Sequence, residues 1–281
     1  MEIYNGPDFE EKIKDPKSDG SPLTAADLKA NEIICTGLRK LYPNIPIMSE
    51  EEKMPSWEER KNWTYFFCVD PLDGTKEFIK RNGQFTVNIG LVKDGTPIAG
   101  VVYCPALDPP VMYKGYTGAP PAVKEECDAI GGNAGYDSFK AIFPKTFDEA
   151  DKGLTVVASA SHNTPETEAF IKKYDSPKLK SMGSSLKILM VADGTAHVYP
   201  RLAPTMEWDT CAAHAILLCG EGASMTQHSD GGETWNAPCT PGKEVMYNKE
   251  DTKNPFFVAK GKVVKKSTVV KKKKKVGLGG G

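Results

Sequence analysis

Asp70-Pro71-Leu72-Asp73-Gly74-Thr75 follows the apolar run Phe66-Phe67-Cys68-Val69 and precedes Lys76-Glu77-Phe78-Ile79. The stretch from Thr64 to Val69 reads as a short buried strand, the six residues as a tight turn, and the segment after them as a brief helix. Phe85 to Val92 then alternates, Asp94-Gly95 is a hairpin turn, and Pro97 to Tyr103 returns, which predicts an antiparallel meander. Two carboxylates three residues apart in a turn point into one small volume, and Gly74 lets the backbone bend sharply. Uncompensated, like charges that close force one carboxylate to protonate. A pair of hard cations removes that penalty and suits oxygen ligands. Thr75 then opens a helix whose free N–H groups can seat a phosphate. A plain Asx-turn capping a helix accounts for the same six residues, and on their own they leave the two readings level.

Outward from the turn, Thr24 can cap a helix with Asp27 three residues later, its apolar positions recurring from Ala30 to Leu41 until Tyr42-Pro43 stops it. Ile45 to Ser49 reads as a strand. Residues 115–150 are rich in Gly, Pro and charge and mark a domain junction. Beyond it come a strand (Leu154 to Ser159), helices from Pro165 to Tyr174 and from Ser185 to Ala192, a strand (Ala196 to Tyr199) and a helix from Trp208 to Cys219. No fixed period links them, which argues against a solenoid. Hairpins mixed with crossovers predict a layered α/β fold in two parts: a metal-binding α+β domain over 1–150, an α/β substrate domain over 151–259, and a disordered Lys-rich tail over 260–281.

The chain has 281 residues, 40% hydrophobic and 26% charged, an ordinary composition for a soluble protein. No apolar run approaches the length of a membrane span, and Met1 to Asp8 lacks the basic and apolar regions of a secretory signal. The net charge of −1 hides an asymmetry, because from Lys260 onward there are nine lysines and no acid; the rest holds 27 basic against 37 acidic residues. Such an acidic body disfavours a nucleic-acid polymer as partner. Lys271 to Lys275 reads first as part of a solvated tail and second as a docking or localisation signal. Seven dispersed cysteines, with no C-x-x-C pair, read as reduced thiols of a cytoplasmic protein.

Three further acids raise the metal reading. Glu50, in Ser49-Glu50-Glu51-Glu52, follows a strand and would sit beside the turn. Asp209 heads an alanine-rich helix, and Asp27 lies near the start of the first long helix, although an acid at such a place is ordinarily a dipole partner. Together, Pro22-Leu23-Thr24-Ala25-Ala26-Asp27, Ser49-Glu50-Glu51, Asp70 to Thr75 and Trp208-Asp209-Thr210-Cys211-Ala212-Ala213 resemble the lithium-sensitive, magnesium-dependent phosphatases of the inositol monophosphatase superfamily, over roughly residues 18–259. Within it, the run Asp70 to Val92, with Lys76 to Gly83 inside it, is most similar to the bacterial-type 3'(2'),5'-bisphosphate nucleotidase branch.

The resemblance implies an αβαβα sandwich and a metal-assisted phosphomonoesterase. Glu50, Asp70 and the Leu72 carbonyl would hold one magnesium; Asp70, Asp73 and Asp209 would hold a second, and a third, weaker ion would lean on Glu50. Thr75, oriented by Asp27, would activate the attacking water, with the Gly74 and Thr75 N–H groups on the phosphate. Ser161-His162, Gly183 to Lys187 and Tyr199-Pro200-Arg201 resemble the segments that receive adenosine and its 5'-phosphate, so His162, Ser184, Lys187 and Arg201 are the substrate-binding candidates. Lys187 on a solvated helix face and His162 as an ordinary loop histidine remain open. The implied substrate is adenosine 3',5'-bisphosphate, with 3'-phosphoadenylyl sulfate beside it; the alternatives are an inositol phosphate substrate on the same fold, or a non-catalytic protein docking through its basic tail. The expected state is a monomer or homodimer without membrane partners. Family members usually carry a further helix before the counterpart of Tyr4-Asn5-Gly6, and the basic tail is not a family feature.

Overall fold

The meander from Phe85 to Tyr103 forms the middle of a seven-stranded sheet. A computed structural model describes residues 1–14, 17, 22–127, 139–159, 164–229, 237 and 239–266. The elements up to the end of that sheet are α1 (Glu2–Asn5), β1 (Ile13–Lys14), β2 (Leu23–Thr24), α2 (Ala25–Leu41), β3 (Ile47–Ser49), α3 (Trp57–Arg60), β4 (Tyr65–Asp73), α4 (Thr75–Ile79), β5 (Thr86–Lys93), β6 (Thr96–Cys104), β7 (Val111–Tyr116), β8 (Val123–Glu126) and β9 (Phe139–Ala141). Then follow β10 (Thr146–Phe147), β11 (Thr155–Ser159), α5 (Pro165–Ile171), β12 (Lys178–Met182), α6 (Leu186–Ala192), β13 (Val198–Arg201), α7 (Glu207–Leu218), β14 (Ser224–Ser229), β15 (Phe256–Lys260) and β16 (Lys262–Val263).

Strands β3 to β9 lie in sequence order, antiparallel except for the parallel β3–β4 pair. A second, five-stranded sheet has the order β12-β11-β13-β15-β14. Helix α2 packs on β3 and β4, α6 and α7 fill the space between the sheets, and α5 packs on β13. The layers therefore run α, β, α, β, α. Between the sheets the core joins Met48, Phe66 and Val102 to Leu189, Ile216, Leu217, Val157 and Phe257.

A row of small residues sets where α7 lies. Cys68, Gly90, Gly100 and Gly115 are successive cross-strand partners on β4 to β7. A Cβ at Gly100 would stand 2.1 Å from the Ala212 carbonyl oxygen, and one at Gly90 would stand 2.5 Å from Cys211 Sγ. The bare backbone there lets the helix rest directly on the sheet. Asp209, in the first turn of α7, is thereby brought to the end of β4.

Several expected boundaries move. The strand expected to end at Val69 continues to Asp73, so both acids of the turn belong to β4, and the β4–β5 register shifts between Asp70 and Asp73. That irregularity re-aims side chains at a sheet end. The segment read as a junction contributes β8 and β9 to the large sheet. The helix that opens at Pro165 ends at Ile171 rather than Tyr174.

At the C-terminal side, β16 pairs parallel with β10, Lys260 meets Glu149 at 2.7 Å, and Lys266 meets Asp151. Lys271 to Lys275 lie outside the described residues, as does His162. Cys35, Cys68, Cys104, Cys211 and Cys219 are buried free thiols. Among the described residues no helix is long and apolar enough to cross a membrane.

Candidate active site

The first long helix begins with a capping box, in which the Asp27 carboxylate takes up N-terminal donors that have no partner within the helix. Asp27 Oδ2 accepts from the Thr24 backbone N–H at 2.8 Å and from the Thr24 hydroxyl at 2.5 Å. Its other oxygen, Oδ1, accepts from the Thr75 hydroxyl at 3.2 Å, and Thr75 also lies 3.4 Å from the Leu72 carbonyl. The cap therefore doubles as a tether on the residue that opens α4. Burial raises the Asp27 pKa above the usual carboxylate value even though Thr24 and Thr75 donate to it.

Three ends of chain meet beside Thr75. Glu50 follows β3, Asp70 and Asp73 end β4, and Asp209 starts α7. Glu50, Asp70 and Asp209 each present a carboxylate oxygen within 4.8 Å of the others. Asp70 Oδ1 accepts from the Leu72 N–H at 3.0 Å, and Asp209 Oδ2 accepts from the Met206 N–H at 2.8 Å. Asp70 thus makes the Asx-turn expected of a plain cap and also faces the cluster, so the two readings of the turn are compatible. Asp73 stands on the same cleft, where its Oδ2 accepts from the Ser185 N–H at 2.5 Å.

The electrostatics of the cluster favour either a bound cation or protonation of its carboxylates. Burial, followed by the charges of Glu50, Asp73 and Asp209, drives the Asp70 pKa well above its ordinary value. Burial, with Asp73 and Glu50 adding to it, brings Asp209 to about 8. Asp73 rises to about 6 through burial, held back by Lys187 and the Ser185 N–H. Buried carboxylates in this state are relieved by cations, and an all-oxygen donor set suits hard divalent ions. Lys17 supplies part of that charge: its ammonium lies 2.6 Å from Glu50 Oε1 and 2.5 Å from Glu51 Oε1.

The cleft also has a cationic wall, on the second sheet and α6. A cavity of about 260 Å³ is lined by the acids Glu50, Asp73 and Asp209 together with Ser184, Lys187 and Arg201. Ser184 has a left-handed backbone, φ +46°, and its carbonyl accepts from Lys187 Nζ at 2.5 Å. Lys187 is buried rather than on a solvated face, with Nζ over the Tyr199 ring at 5.6 Å. Burial, then the neighbouring Arg201, lowers its pKa to about 8. The Arg201 guanidinium donates to the Pro204 carbonyl at 2.6 Å, and its buried Nε has no protein partner. Gly74, with φ +94°, lines the same cavity.

Asp27, Glu50, Asp70, Leu72, Asp73, Gly74, Thr75, Ser184, Lys187, Arg201 and Asp209 are therefore gathered around one cleft. Sequence reasoning missed Lys17, Thr86 and Asn88. The last two carried a signal, since they occupy the same alternating phase of β5 as Gly90 and Val92, where an inward Thr and Asn are out of place in an apolar core. Lys17 lies in a polar lead without periodicity and carried none.

The sequence matches the profile described as "Inositol monophosphatase family" over residues 2–266. It is 44% identical over 219 residues to the 3'(2'),5'-bisphosphate nucleotidase CysQ of Salmonella typhimurium, spanning 78% of this chain and 80% of the relative. The crystal structure of CysQ from Bacteroides thetaiotaomicron superposes with a TM-score of 0.73 at 40% identity, covering 93% of this chain and 91% of the other. An inositol monophosphatase from Anabaena shares the fold, with a TM-score of 0.62 at 20% identity over 85% of this chain and 82% of that one.

Proposed function

The chain belongs to the inositol monophosphatase family, and from that premise we propose that it removes the 3'-phosphate of adenosine 3',5'-bisphosphate, giving AMP and phosphate. The observation that carries this reading is that one cavity is lined both by carboxylates, Glu50, Asp73 and Asp209, and by the cations Lys187 and Arg201. A substrate with two phosphates has one for each wall. The relatives named as bisphosphate nucleotidases support the nucleotide over an inositol ester. 3'-Phosphoadenylyl sulfate, with the same 3'-phosphate, is the second substrate of this reading, and clearance of a sulfonation by-product in the cytoplasm is its setting.

Glu50, Asp70, Asp73, Asp209 and the Leu72 carbonyl would hold two magnesium ions, with a third on Glu50. Bound magnesium supplies positive charge to the phosphoryl oxygens as bonding to phosphorus is exchanged. The chain's own residues do the rest. Thr75 gives its hydroxyl proton to Asp27 Oδ1, which leaves its lone pairs free to accept from the attacking water. Burial keeps Asp27 basic enough to draw that proton. The Gly74 and Thr75 N–H groups hold the transferred phosphate. Lys187 and Arg201 bind the 5'-phosphate, Arg201 as a fork and Lys187 as a point charge. No covalent phosphoenzyme and no histidine base are needed.

The test is phosphate release with magnesium, with and without lithium, from adenosine 3',5'-bisphosphate and from inositol 1-phosphate. Preference for the nucleotide and loss of turnover with lithium are expected. Preference for the inositol ester would overturn the substrate assignment, and lithium-insensitive turnover would overturn the metal assignment.

A further inference from the structure

Asp73 is joined to the substrate wall by a buried polar cluster that neither wall contains by itself. On β5, Thr86 stands directly across the ladder from Asp73, and Asn88 directly across from Asp70. Both are buried, at 0% and 1% exposure. Asn88 Nδ2 lies 3.4 Å and Thr86 Oγ1 3.5 Å from Asp73 Oδ2, the oxygen that accepts from the Ser185 N–H. From the other side, the Ser185 hydroxyl donates to Asn88 Oδ1 at 2.9 Å and lies 2.8 Å from Thr86 Oγ1. Thr86 Oγ1 also reaches Asn88 Oδ1 at 3.1 Å and Ser184 Oγ at 3.4 Å.

Donor accounting fixes the orientation of Asn88, while the single Thr86 hydroxyl proton is shared between Asp73 Oδ2 and Asn88 Oδ1. Asn88 must turn its carbonyl toward the two hydroxyls and its NH₂ toward the carboxylate, which requires an amide at that position. An aspartate there would add a negative charge beside Asp73 and have no proton to give it. Ser185 is the residue from which α6 springs, and that helix carries Lys187 in its first turn, the ammonium tied back to the Ser184 carbonyl. A second tether lies alongside, where the Gly183 N–H donates to Gln84 Oε1 at 2.8 Å. One connected set of bonds thus runs from a carboxylate of the cage to the lip that bears the buried lysine.

We propose that Thr86 and Asn88 are positioning residues that lock Asp73 and the Ser184–Ser185 lip into one unit, so that cation binding at the acids and anion binding at Lys187 support each other. The anion half of the statement rests on the function proposed above; the cation half does not. Linkage makes the effect reciprocal, because whatever cation binding does for the anion, the anion does for the cation.

The experiment compares the full chain with Thr86→Val, which keeps shape and removes the hydroxyl, and Thr86→Ser, which restores it. Magnesium alone is titrated by calorimetry, and kcat and KM for adenosine 3',5'-bisphosphate are measured at saturating magnesium. Thr86→Val should weaken magnesium by about 10–100-fold, the range for partners one step behind a metal ligand. It should also raise KM when magnesium is in excess, while Thr86→Ser stays close to wild type in both. Ser185→Ala, which keeps the N–H on Asp73 and removes only the hydroxyl, serves if Thr86→Val does not fold, with smaller losses of the same two kinds. Magnesium affinity unchanged in the variant, or weakened with KM unchanged at saturation, would overturn the inference. Failure of the wild type to hydrolyse the nucleotide would instead overturn the proposed function, and the magnesium titration would still decide whether Thr86 supports the cage.

Discussion

The two walls of the cleft are built from opposite charges by the same device. On the acidic wall, burial and mutual repulsion push Asp70 and Asp209 toward the protonated form. On the basic wall, burial and Arg201 push Lys187 toward the neutral form. Each wall keeps like-charge repulsion that its neighbours of the other sign relieve only in part, and that a ligand of the other sign would relieve further. The walls differ in how they are assembled. The acids come from distant places in the chain, whereas Ser184, Lys187 and Arg201 all fall in the short stretch from the end of β12 to β13. Function on each wall should therefore trade against stability, and single substitutions can break that trade, some far more sharply than others.

Asp70→Asn should have the largest effect. Losing a carboxylate from the centre of the cage should lower phosphate release well beyond the about 100-fold that marks outer partners. The same change removes a buried like charge, so the melting temperature of chelator-treated protein should rise. Activity and stability moving in opposite directions is the signature; a variant that melts lower without metal would show that Asp70 is not a strained charge.

On the other wall, Lys187→Met should raise KM for adenosine 3',5'-bisphosphate by roughly 30-fold or more, the range for losing one member of a buried charged contact. Phosphate release from inositol 1-phosphate should barely change. Arg201→Ala should act in the same direction and less steeply, because its guanidinium is partly exposed and already donates to Pro204. Equal losses on both substrates would place the pair outside the second-phosphate subsite.

Asp209 tests the repulsion through pH. In the fold, burial and the charges of Asp73 and Glu50 raise its pKa to about 8, against an ordinary carboxylate value of about 4 in the unfolded chain. A folded pKa raised in this way gives stability that is complete below the unfolded value and is lost as pH climbs through the folded one. Without metal, the melting temperature of Asp209→Asn minus that of wild type should therefore grow from about pH 4 to about pH 8. Lys187, lowered to about 8, acts in the opposite sense, and because Asp209 helps hold its pKa up, the comparison is read below about pH 7, where Lys187 stays charged in both proteins. A difference flat across the window would show that no repulsion is stored at Asp209.

What was legible in the sequence follows from how each wall is made. Acids at strand ends and helix starts are punctuated by Pro, Gly and caps, so local pattern singled out Glu50, Asp70, Asp73 and Asp209. It left their metal and capping readings open, and only the resemblance of all the motifs together to one family joined them into a single site. The shift in β4 that carries Asp70 and Asp73 within the strand could not be read, because a bulge is fixed by its partner strand and not by local propensity. Strands β8 and β9 were hidden for a related reason: Lys124, Glu125 and Glu126 look like loop residues until Lys114 and Glu125 pair across the sheet. Thr86 and Asn88 were visible only as an anomaly of phase in β5. Their meaning depends on Ser185, 97 residues beyond Asn88, which no periodicity reports.

Lys17 gives the smallest and most discriminating prediction. Its ammonium bridges Glu50 and Glu51, so in the absence of metal it offsets part of the repulsion on the acidic wall. Burial alone would make Lys17 less basic, but the two glutamates outweigh it and raise its pKa. A divalent cation must share Glu50 with that ammonium or displace it, and in either case it meets a neighbouring positive charge. Lys17→Met should therefore bind magnesium more tightly, by roughly two- to five-fold, the range for an ion pair still wetted at its edge. The chelator-treated variant should melt lower than wild type, opposite to Asp70→Asn, since it loses a partner where the other loses a rival. Calorimetry and melting of the same sample decide the point. Weaker magnesium binding in Lys17→Met would mean that the lysine holds Glu50 in place for the ion instead of competing with it, and the acidic wall would then owe its geometry to the chain's N-terminal lead as well as to its strand ends.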